Sequence, residues 1–306
     1  MGSTLVSAVQ HPRLAVQKLN NLYHRRLNRR RYNENGVDVF EQDWDNLIVL
    51  DACRYDTFSE NWSLTGDLSR KTSRGSSTIE FLRGNFAGRS LLDTVYITAN
   101  PQLYHNFNSL SPELFDIVNV WREDGWDSET GTVLPETMNG RVDELQAQYP
   151  NKRYVIHYIQ PHYPFIDSNT DFDKGHLSGK RTDEVNLWTK LMKNELSVPR
   201  NELYAHYESN LKRCIPHVEE IIDELDGKTV VTSDHGNLFN ESMSPIPVRG
   251  WGHPLGIYVD ELVKIPWFEC PFENRRSIEK GSRKERYQLE DVGSVEERLR
   301  DLGYTA

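Results

Sequence analysis

The chain has 306 residues, room for about two domains or for one large α/β domain with additions. Its 36 lysines and arginines against 46 aspartates and glutamates leave a net charge of −10. That excludes a general nucleic-acid binder, which needs a basic surplus to displace counterions from phosphates. No run approaches the ~20 apolar residues of a membrane-crossing helix, and the first thirty residues hold no pattern of a cleaved secretion signal. Cys53, Cys214 and Cys270 are odd in number and far apart, so neither a disulfide framework nor a zinc knuckle is expected, and the cysteine usage suggests a reducing, cytoplasmic place.

Residues 1–45 read as a basic helical extension. His24 to Tyr32 is HRRLNRRRY, five arginines and a histidine in nine positions, preceded by Leu14, Val16, Leu19 and Leu22 at roughly helical spacing. Pro12 should separate this helix from the apolar residues before it. Such a segment suits either a solvated flank or contact with an anionic surface, which would place the chain peripherally at the inner membrane surface.

The region 46–270 alternates strand and helix signals. Apolar runs at 46–50 (NLIVL), 94–98 (TVYIT), 154–159 (YVIHYI) and 229–232 (TVVT) fit strands buried on both faces. Between the last two, Tyr204, Tyr207, Leu211, Ile215, Val218, Ile222 and Leu225 predict a helix over 203–225, kinked at Pro216 and stopped by Gly227. Alternation of this kind means a mainly parallel sheet with helices on both faces, hence a three-layer α/β sandwich with its site at the strand C-termini. Residues 271–306 form a charged segment with a terminal helix in SVEERLRDLG, packing on the same domain.

Three strand ends carry polar residues suited to a metal. Asp51 closes the first run in LDACRYD, Asp234 and His235 follow the last in VVTSDHGN, and His157 and His162 lie in YVIHYIQPHYPF. Carboxylates and imidazoles brought together from separate strand ends give a divalent cation oxygen and nitrogen ligands without a local motif.

The motifs, in this order, resemble the sulfatase-like branch of the alkaline phosphatase superfamily, colinear from about Asp45 to Phe268: DNLIVLDACRYD, the PHxPY-like segment, the long helix with its DHG turn, and GWGHPLGIYVDELVKIPWF. The resemblance implies an alkaline-phosphatase-like fold and makes Asp51, Asp234 and His235 metal ligands for Zn or Mn, with Mg or Ca as alternatives. It turns His162 and His253 toward the substrate, leaves His157 in second rank, and offers Arg54 for the site's carboxylates, the substrate anion or a structural ion pair. Ala52 stands where this branch often carries a second aspartate, which favours a single ion. The family's nucleophile falls here in KTSRGSSTIEFLRGNF, which has no cysteine, so a formylglycine sulfatase is disfavoured. A capping box of Ser77 with Glu80 starts a helix at Ser77 and ranks the candidates Ser76, Ser77, Thr78. The implied activity is metal-dependent hydrolysis of a phosphate or sulfate ester through a covalent intermediate. The alternatives are transfer of a phosphoryl-type group to a lipid or sugar acceptor, and a retired binding protein. The implied partner is a small-molecule or lipid- or sugar-linked anionic ester, with no nucleic acid.

Overall fold

The computed structural model describes residues 11–122, 124–168, 170, 172, 186–284, 298–299 and 302. In chain order their strands are β1 (Asn46–Asp51), β2 (Asp67–Thr72), β3 (Ser90–Thr98), β4 (Glu113–Asn119), β5 (Trp126–Asp127), β6 (Thr132–Val133), β7 (Arg153–Pro161), β8 (Thr229–Ser233), β9 (Leu238–Met243), β10 (Val248–Gly252) and β11 (Lys264–Glu269). The helices of seven residues or more are α1 (Pro12–His24), α2 (Tyr55–Asn61), α3 (Thr78–Asn85), α4 (Pro135–Gln148), α5 (Leu187–Lys193) and α6 (Arg200–Glu224).

Every residue of NLIVLD in β1 is buried, as its unbroken apolar run requires of a central strand. β1 pairs in parallel with β8 on one side and β7 on the other, and the sheet runs β2-β11-β8-β1-β7-β3-β4. β11 alone runs against the other six strands, antiparallel to both β2 and β8. Alternate residues of β1 face opposite layers: Ile48 and Leu50 pack with Phe58, Leu211 and Val218, while Leu47 and Val49 pack with Phe81, Phe86 and Trp267. Helices α2, α4 and α6 therefore cover one face and α3 the other, giving three layers around two cores. A third apolar cluster, with Tyr163, Trp188, Tyr207, Phe239 and Trp251, closes over one end.

The four strands expected from apolar runs are present, each lengthened by one to four residues. β2 and β11 were not among the expected strands: DLSRKT is a polar, half-exposed edge strand, and KIPWFE, buried from residue 265 to 268, pairs antiparallel with both β2 and β8. Pro12 opens α1 at its first turn, where a missing N–H does no harm, and the apolar residues it was expected to separate from the helix lie outside the described residues. Pro216 lies inside α6 without ending it. Gly227 does have a left-handed φ of 91°, but two residues beyond the cap at Leu225.

The expected terminal helix at 294–303 lies almost wholly outside the described residues. The segment before it is a strap across the N-terminal edge of the sheet. Arg276 donates to Asn46 Oδ1, Glu279 N to Asn151 O, Gly281 N to Leu92 O and Lys284 N to Phe115 O. At its start Arg275 donates to both oxygens of buried Asp45, at 2.6 and 2.8 Å. Burial pushes the Asp45 carboxyl up, but hydrogen bonds from Arg275 and the Lys228 N–H outweigh it and hold the pKa below its usual value. A lowered folded-state pKa stabilises above the unfolded value and is lost as pH falls through the folded one. Arg275→Ala should therefore cost about 1–2 kcal/mol at neutral pH, discounted for the partly exposed arginine. In thermal melts the gap between parent and variant should close in acid; a gap independent of pH would contradict the pairing.

Candidate metal centre

The parallel register sets Val49 beside His157 on β7 and Thr232 on β8, so the residues ending these strands emerge side by side. Asp51 ends β1, and Asp234 and His235 follow β8. The DHG turn needs its glycine because a Cβ at Gly236 would stand 2.1 Å from the Glu261 carbonyl oxygen. One ligand atom from each of Asp51, Asp234 and His235 lies within 4.8 Å of the others, and all three residues are fully buried.

His235 Nδ1 donates to the Gly236 carbonyl at 2.8 Å, which assigns the proton to that nitrogen and leaves the Nε2 lone pair facing inward. Nε2 lies 3.3 Å from Asp234 Oδ2 and 3.7 Å from Asp51 Oδ1. Burial lowers the His235 pKa to about 4, so the ring is neutral at ordinary pH. Burial likewise raises the Asp234 carboxyl, more than its hydrogen bonds from Ala52, Thr78 and His235 recover. Asp234 Oδ2 is buried with no hydrogen-bond partner among the described residues. Buried acceptor atoms turned on one another are unfavourable without a cation. One imidazole nitrogen and two carboxylate oxygens suit a divalent ion, so the three residues form a candidate metal site.

The other carboxylate oxygens are held by the scaffold. Asn100, just past β3, donates to Asp51 Oδ2 at 2.6 Å, and Ala52 N donates to Asp234 Oδ1 at 3.0 Å. Ala52 has a left-handed φ of 59° and is pinned by the Tyr207 hydroxyl, which donates to its carbonyl at 2.8 Å. It adds no ligand but turns its N–H onto one. His157 stands on the face covered by α3, with Nδ1 2.7 Å from the Tyr96 hydroxyl and Nε2 3.9 Å from Asp234 Oδ2, so it lies beside the cluster.

The hydroxyl window departs from the expected order. Thr78, placed third, opens α3 and has Oγ1 3.2 Å from His235 Nε2. Ser76, ranked first by its place just before the helix, is engaged elsewhere. Its Oγ lies 3.0 Å from both Glu80 Oε2 and the Pro254 carbonyl, and accepts from Ile257 N at 3.3 Å. Ser77 is the N-cap residue, yet its side chain makes no capping bond. Glu80 does not close the capping box, because its carboxylate accepts from Ser76 N, Gly256 N and the Tyr258 hydroxyl.

His162 and His253 meet with their Nε2 atoms 2.9 Å apart, and the His253 ring centre is 4.8 Å from that of His235. His162 Nδ1 donates to the Tyr163 carbonyl at 2.6 Å, so its Nε2 accepts the proton that His253 Nε2 carries. Burial, then each other's proximity or that of His235, pushes both rings well below the usual imidazole value. Arg54 turns away from the cluster into an ion-pair network, bidentate to Asp56 at 2.8 and 2.5 Å and 2.8 Å from Glu241. Of its three offered roles the structural one is what the geometry places.

No family model and no curated protein matches the chain. Solved structures do. Integral membrane lipooligosaccharide phosphoethanolamine transferase A from Neisseria meningitidis aligns over 73% of this chain and 47% of its own, at 14% identity and a TM-score of 0.49. The chain thus spans about half the length of that relative. The C-terminal periplasmic domain of phosphoethanolamine transferase EptC from Campylobacter jejuni aligns over 74% and 78%, at 14% identity and TM-score 0.46. An alkaline phosphatase superfamily protein from Vibrio parahaemolyticus aligns over 90% and 69%, at 10% identity and TM-score 0.41.

The expected cytoplasmic place, with its variant at the inner membrane surface, is corrected. Similar structures include periplasmic domains. The physical ground was also weak, since Cys53, Cys214 and Cys270 are buried thiols whose pKa values burial raises, and such thiols are inert in either kind of compartment. No described helix is long and apolar enough to cross a membrane. In the order of its motifs and in fold, the chain is similar to the sulfatase-like branch of the alkaline phosphatase superfamily.

Proposed function

We propose that residues 46–270 carry a metal-dependent enzyme that transfers a phosphoryl-type group from an anionic ester through a covalent intermediate on Thr78. One observation carries this reading: a hydroxyl at the first position of a helix, 3.2 Å from the inward lone pair of His235, beside Asp234 and Asp51. Asp51, Asp234 and His235 would hold the ion, Zn or Mn by donor type, with Thr78 beside them. A bound divalent ion would lower the pKa of the hydroxyl and neutralise charge on the transferring group.

The chain's own residues supply the rest. Thr78 Oγ1 loses its proton to water and forms an ester bond as the bond to the leaving oxygen breaks, and the positive end of α3 favours the anion at that point. The neutral His253 ring, its Nε2–H held toward His162, can hydrogen-bond the departing oxygen through that N–H, while the oxygen takes its proton from water. Water or an alcohol then displaces the group from Thr78, so hydrolysis and transfer share the first step. Two of the similar structures are named phosphoethanolamine transferases, one of them a lipooligosaccharide phosphoethanolamine transferase, and a lipid- or sugar-linked anionic ester is the proposed substrate class.

The test is to quench the metal-loaded chain during turnover of a phosphate-ester panel and map the adduct by mass spectrometry. An ester on Thr78 is expected. An adduct on Ser76 or Ser77, or turnover with no adduct, would contradict the reading.

A further inference from the structure

Soluble proteins scatter their exposed apolar residues singly, and a cluster of them rimmed by charge marks an interaction surface. Six large apolar side chains are exposed among the described residues, and five gather at α1: Leu19, Tyr23, Leu27, Ile246 and Leu255. Leu19 and Tyr23 lie one turn apart on the helix, 53% and 62% exposed, and Leu27 just beyond it is 74% exposed. Ile246 and Leu255 come to the same helix through Asn20, which exchanges hydrogen bonds with the Ile246 backbone, and Asn21, which donates to the Leu255 carbonyl.

The way α1 ends adds to this. Leu27 N donates to Leu22 O and Arg26 N to Tyr23 O, a closure that normally puts glycine in the left-handed position. Here Arg26, Leu27 and Asn28 take φ values of 50°, 56° and 65°, three strained residues in succession. The turn holds Leu27 outward and places Arg26 on the lining of a cavity of about 360 Å³. Arg26, Arg30 and Lys264 line that cavity beside Tyr23 and Tyr258, against one lining carboxylate, Asp260. Arg30 also pairs with Glu34 at 2.9 Å. In a chain of net charge −10, this concentrates positive charge beside exposed apolar side chains.

We infer that this face docks on an anionic phospholipid surface, with Tyr23 and Leu27 entering the headgroup boundary and the Arg26, Arg30 and Lys264 cavity receiving a lipid phosphate. Arginines at a negative surface with apolar side chains between them are the two attractions a peripheral membrane dock combines. The inference names a chemistry and no compartment, and it stands independently of the metal centre.

Sedimentation of the full chain with vesicles tests it without any measurement of turnover. Phosphatidylcholine vesicles containing about one third phosphatidylglycerol should bind the chain at low salt, and phosphatidylcholine alone should not. Arg26→Gln with Lys264→Gln should weaken binding roughly thirtyfold, taking about 1 kcal/mol for each basic residue at such a surface. Tyr23→Ser with Leu27→Ser should weaken it about tenfold. Phe272→Ser, the exposed apolar residue away from α1, serves as the control and should leave binding unchanged. Unchanged melting temperatures show that the variants fold. Equal binding to neutral vesicles, no effect of the paired substitutions, or an equal effect of Phe272→Ser would overturn the inference. Calorimetric binding of inorganic phosphate without vesicle association would also overturn it, assigning the cavity to a soluble anion.

Discussion

Thr78→Ala should lower turnover by roughly 10³-fold or more, while Ser76→Ala and Ser77→Ala stay within about tenfold of the parent. Thr78 is the hydroxyl of the three that lies against an inward-facing ligand atom, so its removal takes away the attacking group and leaves the metal side chains in place. Ser76 bonds to Glu80 and to the loop at Pro254, so its loss should appear as about 1 kcal/mol of stability. Thr78→Ser keeps the hydroxyl and should retain a measurable fraction of activity. Turnover at the parent rate in Thr78→Ala, or a dead Ser76→Ala that still folds and binds metal, would contradict the assignment.

Asp234→Asn should have opposite effects with and without metal. In the parent, Asp234 Oδ2 is a buried acceptor facing the Asp51 carboxylate and the His235 lone pair. Without a cation that arrangement destabilises the fold, and removing one charge should raise the melting temperature of chelator-treated protein by several degrees, about 1 kcal/mol or more. With metal the order should reverse, since a ligand that binds only the folded state adds about 4 kcal/mol at a thousandfold excess over its Kd. Melts in chelator and in excess Zn therefore cross: the variant is the more stable in the first and the parent in the second. A variant less stable in both would mean that Asp234 serves the scaffold alone.

Much of this was legible in the residues. A central strand must bury both faces, so NLIVLD announces itself, and the acid at its end falls where parallel sheets place ligands. The DHG turn is readable for the same reason, its glycine being forced by the approach of Glu261. The proposed nucleophile was less legible, because a capping box is a local pattern while Glu80 is claimed by Gly256 and Tyr258 from a distant segment. Arg54 shows the same limit, its partner Glu241 lying far along the chain. Asn100 passed unnoticed, although its signal was present: it follows a predicted strand at the edge where Asp51 emerges. β2 was hidden because a polar edge strand carries no apolar run, and β11 because its buried run is short and holds Pro266, which argues against a strand inside a sheet. Compartment was misread because a count of cysteines stood in for their burial and reactivity.

The central claim is that Asp51, Asp234 and His235 hold a divalent ion beside Thr78. Elemental analysis of the full chain purified without chelator, run beside Asp234→Asn, tests it most directly. The account predicts about one Zn or Mn per chain in the parent and its loss from a variant that still folds. A metal-free parent that takes up no ion from Zn or Mn buffer, or a variant that keeps the parent's metal, would contradict it.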